Sequence, residues 1–374
     1  MSDLTDLLKA SGASIEAEDD FDAINALYLE RGWGDGLPIV PPTAQRVERM
    51  LKYCDRPLDE PIAKVAPRYG EATPLRLAAN AVMAGCRPEY FPLYMLAIEA
   101  MCEEPFNLYG VQATTHLCAP LVIVNGPVGR EIEINSGHNA FGPGWRANAT
   151  IGRAIRLALL NIGGALPGSG DMSTFGAPSK YSYLVAENEA GNPWEPLHVE
   201  RGFPADATTV TVVGAECLHN INDHESLSAE GILTTIAGSM ATTGTNDVFY
   251  ASQPVVVMGP EHAKTVADGG FSKSDAKRFL QERATLPLFK FSQENIERRF
   301  KITFKDRYAN ATEETAVPAV QRAEDIIIAV IGGAGKHSAY IPTFGATKSV
   351  TRALKTRDGT LARAVADFAQ GAGG

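Results

Sequence analysis

Runs of basic residues are missing from this 374-residue chain: 34 Lys and Arg stand against 44 Asp and Glu, a formal net charge of −10. No segment gathers the positive side chains that a nucleic-acid or anionic-membrane surface requires, although a local basic pocket for an anionic substrate stays open. Cysteine is scarce as well. The five (Cys54, Cys86, Cys102, Cys118, Cys217) are odd in number, widely spaced and without a C-x-x-C pair, which fits reduced thiols in a cytosol better than a disulfide framework. No apolar run approaches the roughly 20 residues that span a bilayer. The N-terminal stretch MSDLTDLLKASGASIEAEDD is acidic, with no basic segment followed by an apolar one, so no secretory signal is expected and the location expected is cytoplasmic.

What is present is a core. With 45% hydrophobic residues the chain has enough apolar material to fold without staples. Residues 19–31 carry apolar side chains at helical spacing and stop at Gly32-Trp33-Gly34-Asp35-Gly36, an extended LPIVPPT follows, and Thr43 is placed to cap a second helix. The Ala-, Leu- and Met-rich stretch 74–102, broken at Arg87-Pro88, reads as two packed helices. The apolar run at 120–127, closed by Gly-Pro, reads as a strand buried on both faces, and a similar run closed the same way returns at 254–260. Each run follows a helix and a polar loop, and each leads through a turn into another helix, 147–161 in one case and 272–283 in the other. In the second of these helices Ser272 and Asp275 have the spacing of a capping box. Further strands are expected at 208–213 and 325–333. The fold class expected is α/β, with mixed sheets, an internally duplicated α/β unit and an N-terminal helical segment. The divisions expected are 1–73 (helical and extended), 74–205 (first unit), 206–345 (second unit) and a Gly-, Ala- and charge-rich tail at 346–374 that frays.

Three glycine-rich loops carry the chemistry. The first, Asn135 to Asn148, precedes a helix, so its amides lie at the positive end of that helix and suit a carboxylate or phosphate. Asn135, Ser136, Asn139, Trp145, Arg146 and Asn148 are its candidate substrate-binding residues and His138 its candidate catalytic group; the same asparagines would equally serve the loop's own backbone. The loop is not a G-x-G-x-x-G fingerprint, so no dinucleotide is implied. In the second, Asp171 with Lys180, and Glu187 beyond them, are candidate acid–base residues if burial raises a carboxyl pKa, and a salt-bridge network otherwise. The third, Gly332 to Ser338, fails as a P-loop because Val330 stands where the first Gly belongs and His337 where Ser or Thr would bind magnesium. Lys336, His337 and Ser338 remain candidates for a smaller anion's nest. His116 and Cys118 stand close enough for a nucleophile and base, or Cys118 is an inert buried thiol. Six potential ligands crowd 216–225, but no metal-site spacing is present, so no metal is assigned and the segment reads as a polar loop.

The segments Gly34-Asp35-Gly36-Leu37-Pro38-Ile39-Val40-Pro41-Pro42-Thr43, Gly142 to Arg153 and Trp194 to Gly202 resemble a bacterial family with a DGLPxVPPT motif, akin to the large domain found fused to or beside small UGSC-type selenoproteins or their cysteine counterparts. The likeness runs from about Glu30 to Ser338. It implies a small Cys- or Sec-containing redox partner, since no UGSC or CGSC sequence occurs in this chain, and it carries over no catalytic residue. The residues themselves point first to an enzyme acting on a small polar or anionic metabolite by hydrolytic or lyase-type acid–base chemistry, with the cofactor unassigned. The alternatives are a substrate-binding subunit of a thiol or selenol redox system and a non-catalytic ligand- or metal-binding protein. Apolar helices fit a homo-oligomer.

Overall fold

The computed structural model describes residues 14–369. The chain forms an α/β fold in two compact units: residues 14–187, Pro196–Gly214 and 348–369 make the first, and Asn188–Glu195 with Ala215–Thr347 the second. Residues 1–13 of the expected N-terminal segment and 370–374 of the expected tail lie outside the described residues. Among the described residues no helix is long and apolar enough to cross a membrane.

The first unit opens with α1 (Phe21–Glu30), whose N-cap Asp20 accepts the Ala23 amide at 2.8 Å, and α2 (Ala44–Leu51). Thr43 precedes α2 with extended backbone but makes no side-chain capping bond, contrary to the expectation for it. The helix α3 (Pro74–Ala84) starts on Thr73 and Pro74 and ends at Gly85, whose left-handed φ of 88° lets the Gly85 and Cys86 amides fold back to the Val82 and Ala81 carbonyls. Pro88 separates it from α4 (Phe91–Met101), which is buried on every side except at Glu99 and so needs no amphipathic stripe. Between α2 and α3, β1 (Ala63–Val65) and β2 (Gly70–Ala72) form a small antiparallel pair. The 16-residue α5 (Arg146–Asn161) packs on α3 and α4. Its Arg153 grips Asp35 through two bonds of 2.7 and 2.8 Å and also reaches the Leu37 carbonyl at 3.1 Å, which fixes the Gly34–Thr43 loop.

The sheet of this unit has the order β12-β5-β3-β4, from Val350–Ala353, Thr209–Ala215, Ala119–Asn125 and Leu184–Ala186. Every residue of β3 and β5 is buried, which is why the sequence there is continuously apolar or Thr-rich rather than alternating. In the second unit the order is β10-β7-β11-β6, from Ile327–Val330, Val255–Met258, His337–Ile341 and His219–Asn222. Its helices α6 (Ala229–Met240) and α8 (Lys273–Arg283) follow the expected pattern, α7 (Pro260–Asp268) is a helix where only a turn was expected, and the Ser272–Asp275 capping box is formed. A second antiparallel pair, β8 (Thr285–Pro287) with β9 (Ala316–Pro318), and a cluster of Phe291, Phe300, Phe304 and Tyr308 complete this unit's core.

The two sheets have matching topology. In each, the strand closed by Gly-Pro runs parallel to one neighbour, β3 with β4 and β7 with β10, and the edge strand at the far side is antiparallel to the next, β12 with β5 and β6 with β11. The Gly-Pro turns share a close backbone approach but not a backbone conformation, with φ 93° at Gly126 and −62° at Gly259. A Cβ on Gly126 would lie 2.3 Å from the Ala207 carbonyl oxygen, and one on Gly259 2.2 Å from that of His337, so both glycines are set by close backbone approach. Pro127 and Pro260 then start the following helices at the first position. One exchange distinguishes the chain path: β6 follows β5 in sequence but pairs with β11, while β12 follows β11 but pairs with β5. The expected tail therefore contributes a sheet strand, and a 3-10 turn at Val365–Phe368 buries Val365 and Phe368.

Candidate functional site

In the first unit the loop leading into α5 is shaped by two buried asparagines. Asn148 accepts the Asn135 amide at 2.8 Å through Oδ1, and its Nδ2 donates to the carbonyls of Asn135, Ala140 and Leu184 at 3.0, 3.3 and 3.3 Å. Asn135 in turn accepts the Gly137 amide and donates to the His138 carbonyl, both at 2.9 Å. Asn139 holds φ 58° and donates to the Pro143 carbonyl at 2.7 Å. Between these anchors Ser136 is half-buried, while His138, Asn139 and Trp145 are exposed. The clasp thus spends Asn135 and Asn148 on the backbone and presents the His138 and Trp145 side chains outward.

Arg146, the first residue of α5, donates from Nε and Nη2 to the Gly85 carbonyl at 3.1 and 2.9 Å. That contact places it beside Arg46, Arg49 and Arg87 on a recess of about 220 Å³, whose remaining walls are Val40, Met50, Val82, Gly85, Cys86 and Pro88. Arg46 is steadied by the Pro41 carbonyl at 2.9 Å. No carboxylate lines the recess, and among the described residues none of the four guanidiniums forms an ion pair with one. Burial pushes the Cys86 thiol up to about 12, outweighing the lowering effect of Thr150, Arg146 and Arg153, so it stays protonated in this wall. Sequence reasoning found Arg146 alone. Arg46 and Arg49 stand three apart on α2, a spacing that shares a helix face, but nothing in the chain ties that face to Arg87 and Arg146 before folding.

Asp171 and Lys180 come together as a buried pair, with Lys180 Nζ 2.7 and 2.6 Å from the two carboxylate oxygens. Arg156 approaches the same carboxylate at 3.9 Å, donates to the Lys180 carbonyl at 2.7 Å and has its pKa lowered by burial against the pull of Asp171. Two cations around one carboxylate make a cross-link between α5 and the Pro167–Lys180 segment. Glu187 is buried just past β4, where its Oε2 accepts Asn125 Nδ2 at 2.6 Å and the Leu197 amide at 2.7 Å.

In the second unit a polar cluster stands at the C-terminal ends of the parallel strands β7 and β10, the end at which ligands bind in open α/β sheets. The glycine loop after β10 brings Lys336 Nζ to the His224 carbonyl at 2.9 Å and the Gly335 amide to Glu261 Oε1 at 2.7 Å. His337 Nε2 lies 3.2 Å from His224 Nε2, and His337 Nδ1 lies 3.0 Å from Asn220 Oδ1. Beneath them Ser338 Oγ is 2.8 Å from His262 Nδ1, whose Nε2 is 2.9 Å from the Asp223 carbonyl; all three residues are buried. Lys336 and His337 thus meet at His224, whereas Ser338 turns inward to His262. Sequence reasoning did not place His224, His262 or Asn220 with them, because β6 is a polar strand that gives no apolar signal.

Among the described residues no group of three or more His, Cys, Asp or Glu side chains is arranged to hold a metal ion. None of the five cysteines, all of them among the described residues, forms a disulfide, and Cys118 is fully buried with Sγ 3.7 Å from the Val111 carbonyl. Comparison with known proteins finds no matching family model, no matching curated protein and no matching solved structure.

Proposed function

We propose that the protein is an enzyme acting on a small anionic metabolite by acid–base chemistry of the hydrolase or lyase type, with the anion held in the arginine recess of the first unit. The observation that carries this reading is that Arg46, Arg49, Arg87 and Arg146 all line one hollow whose walls hold no carboxylate, Arg87 also bordering a second hollow with Glu89, Glu131 and Glu133. Guanidinium forks match carboxylate and phosphate oxygens, and the positive end of α5 adds to the same field. The hollow, at about 220 Å³, is smaller than a drug-sized pocket and suits a compact metabolite. His138, exposed on the loop that the asparagine clasp holds, is the group we assign to proton transfer. A redox role for Cys54, Cys86 and Cys102 has less support, because burial pushes their thiols up to about 11, 12 and 12.

The test has two arms. Calorimetric titration with phosphate and with small di- and tricarboxylates should give binding that weakens about tenfold or more in Arg49→Ala and in Arg87→Ala, the loss of one charge-assisted contact each. With a hit from that series, His138→Ala should keep binding and lose turnover. Binding unchanged in both arginine variants overturns the site, and turnover unchanged in His138→Ala overturns the assignment of the base.

A further inference from the structure

The second unit carries an arrangement that the anion-binding reading does not use. His224 and His337 face each other with Nε2 atoms 3.2 Å apart, ring centres 4.9 Å apart and ring planes at 81°. A hydrogen bond directed straight from one Nε2 to the other at that separation would set the ring centres about 5.5 Å apart. The shorter distance means that at least one of the two rings is turned off the line between the nitrogens. Two imidazoles bound to one ion at about 2.05 Å, with an angle near 100° at the ion, bring their nitrogens to about 3.1 Å and their ring centres to about 4.9 Å. The observed pair has those dimensions.

The surroundings agree. His337 turns its Nδ1 to Asn220 Oδ1 at 3.0 Å, which fixes the Nδ1–H tautomer and leaves Nε2 as a lone-pair donor, the outer contact that metal-binding imidazoles generally make. His224 is anchored through its backbone, since Lys336 donates to its carbonyl at 2.9 Å. Both histidines are exposed, so an ion in bulk solvent can reach them. They sit on β11 and just after β6, neighbouring antiparallel strands whose register pairs His337 with Asn222.

We propose that His224 and His337 form a binding site for a divalent first-row transition ion of the zinc, nickel and copper class, ligated through both Nε2 atoms, with water or a substrate oxygen filling the remaining positions. Borderline ions of this class favour imidazole nitrogen, whereas magnesium and calcium require oxygen donors that this pair does not supply. Asn220 is a positioning residue for the site, acting through His337. Two protein ligands rather than three give an open coordination sphere and an exchangeable ion rather than a structural centre.

Zinc chloride titrated into the full-length protein by calorimetry tests this. One site in the micromolar range is expected, lost in His224→Ala and in His337→Ala, weakened about tenfold in Asn220→Ala, and unchanged in His219→Ala, a neighbouring exposed histidine outside the pair. X-ray absorption of the zinc-loaded wild-type protein gives a readout that does not depend on a variant folding: two imidazoles per zinc are expected. No zinc binding by the wild type, or one imidazole or none in the zinc shell, overturns the proposal and leaves the pair as a direct imidazole hydrogen bond. None of these outcomes depends on the arginine recess, so the two readings stand or fall separately.

Discussion

Asp247 shows what a single buried carboxylate costs and how it is tolerated. It is 1% exposed and accepts from Ser252 Oγ, Tyr340 Oη, the Thr343 amide at 3.2 Å and Thr343 Oγ1 at 3.1 Å. Burial still outweighs these donors and pushes its carboxyl from 3.8 up to about 6. The folded state therefore binds this proton more tightly than the unfolded chain does. The resulting penalty, of the order of 3 kcal/mol, is fully present above pH 6, shrinks as pH falls and is absent below about 4. Urea unfolding of wild type and Asp247→Asn between pH 7 and 4 checks this: the stability difference should move toward the wild type by up to about 3 kcal/mol as pH drops, and a difference that is flat with pH contradicts it. The Asp35–Arg153 pair makes the opposite use of burial, with side-chain exposures of 3% and 15% and a bidentate fork joining the Gly34–Thr43 loop to α5. Neither role was visible in the chain as a string, because the partners come from 93 and 118 residues away.

Elements reveal themselves in the sequence to the extent that their burial is uniform. Strands β3, β7 and β10 were legible because every position is buried, so apolar runs stop abruptly at Gly-Pro or Gly-Gly. Helices α3 to α5 and α8 announced themselves through Pro, Gly and capping residues. The antiparallel strands β6, β11 and β12, reading HNIN, HSAYI and VTRA, were missed because polar or half-exposed positions interrupt the pattern. That omission also hid the His224–His337–Asn220 grouping, which depends on β6 pairing with β11. Likewise, the asparagine-rich loop announced an organised structure but not whether Asn135 and Asn148 served ligand or backbone. The Gly-Pro turns give an element-level prediction. At Gly259 the backbone φ of −62° is ordinary, so only space forbids a side chain. Gly259→Ala should cost about 1–3 kcal/mol as the added methyl pushes the His337 carbonyl, and β11 with it, away from the turn, measured by chemical denaturation. An unchanged midpoint and slope would show that the turn yields freely.

At the scale of the molecule, a net charge of −10 coexists with a recess lined by four arginines and no carboxylate, so overall charge predicts little about local charge. The path of the chain matters more. Each α/β unit finishes its sheet with a strand supplied by the segment that follows the other unit's antiparallel strand, β6 in one case and β12 in the other. Divide the gene between Gly214 and Ala215, and the leading fragment exposes β5 as a raw edge while the trailing one carries β12 as a hook with nothing to hold. Expressed together with an affinity tag on the leading fragment alone, the pieces should copurify as a split protein. Trimming residues 348–374 from the trailing piece should weaken capture, leaving only what Asn188–Glu195 of the leading fragment contributes to the second unit; undiminished capture would show that the hook is dispensable. Reassembly after scission is thus written into the weave of the backbone.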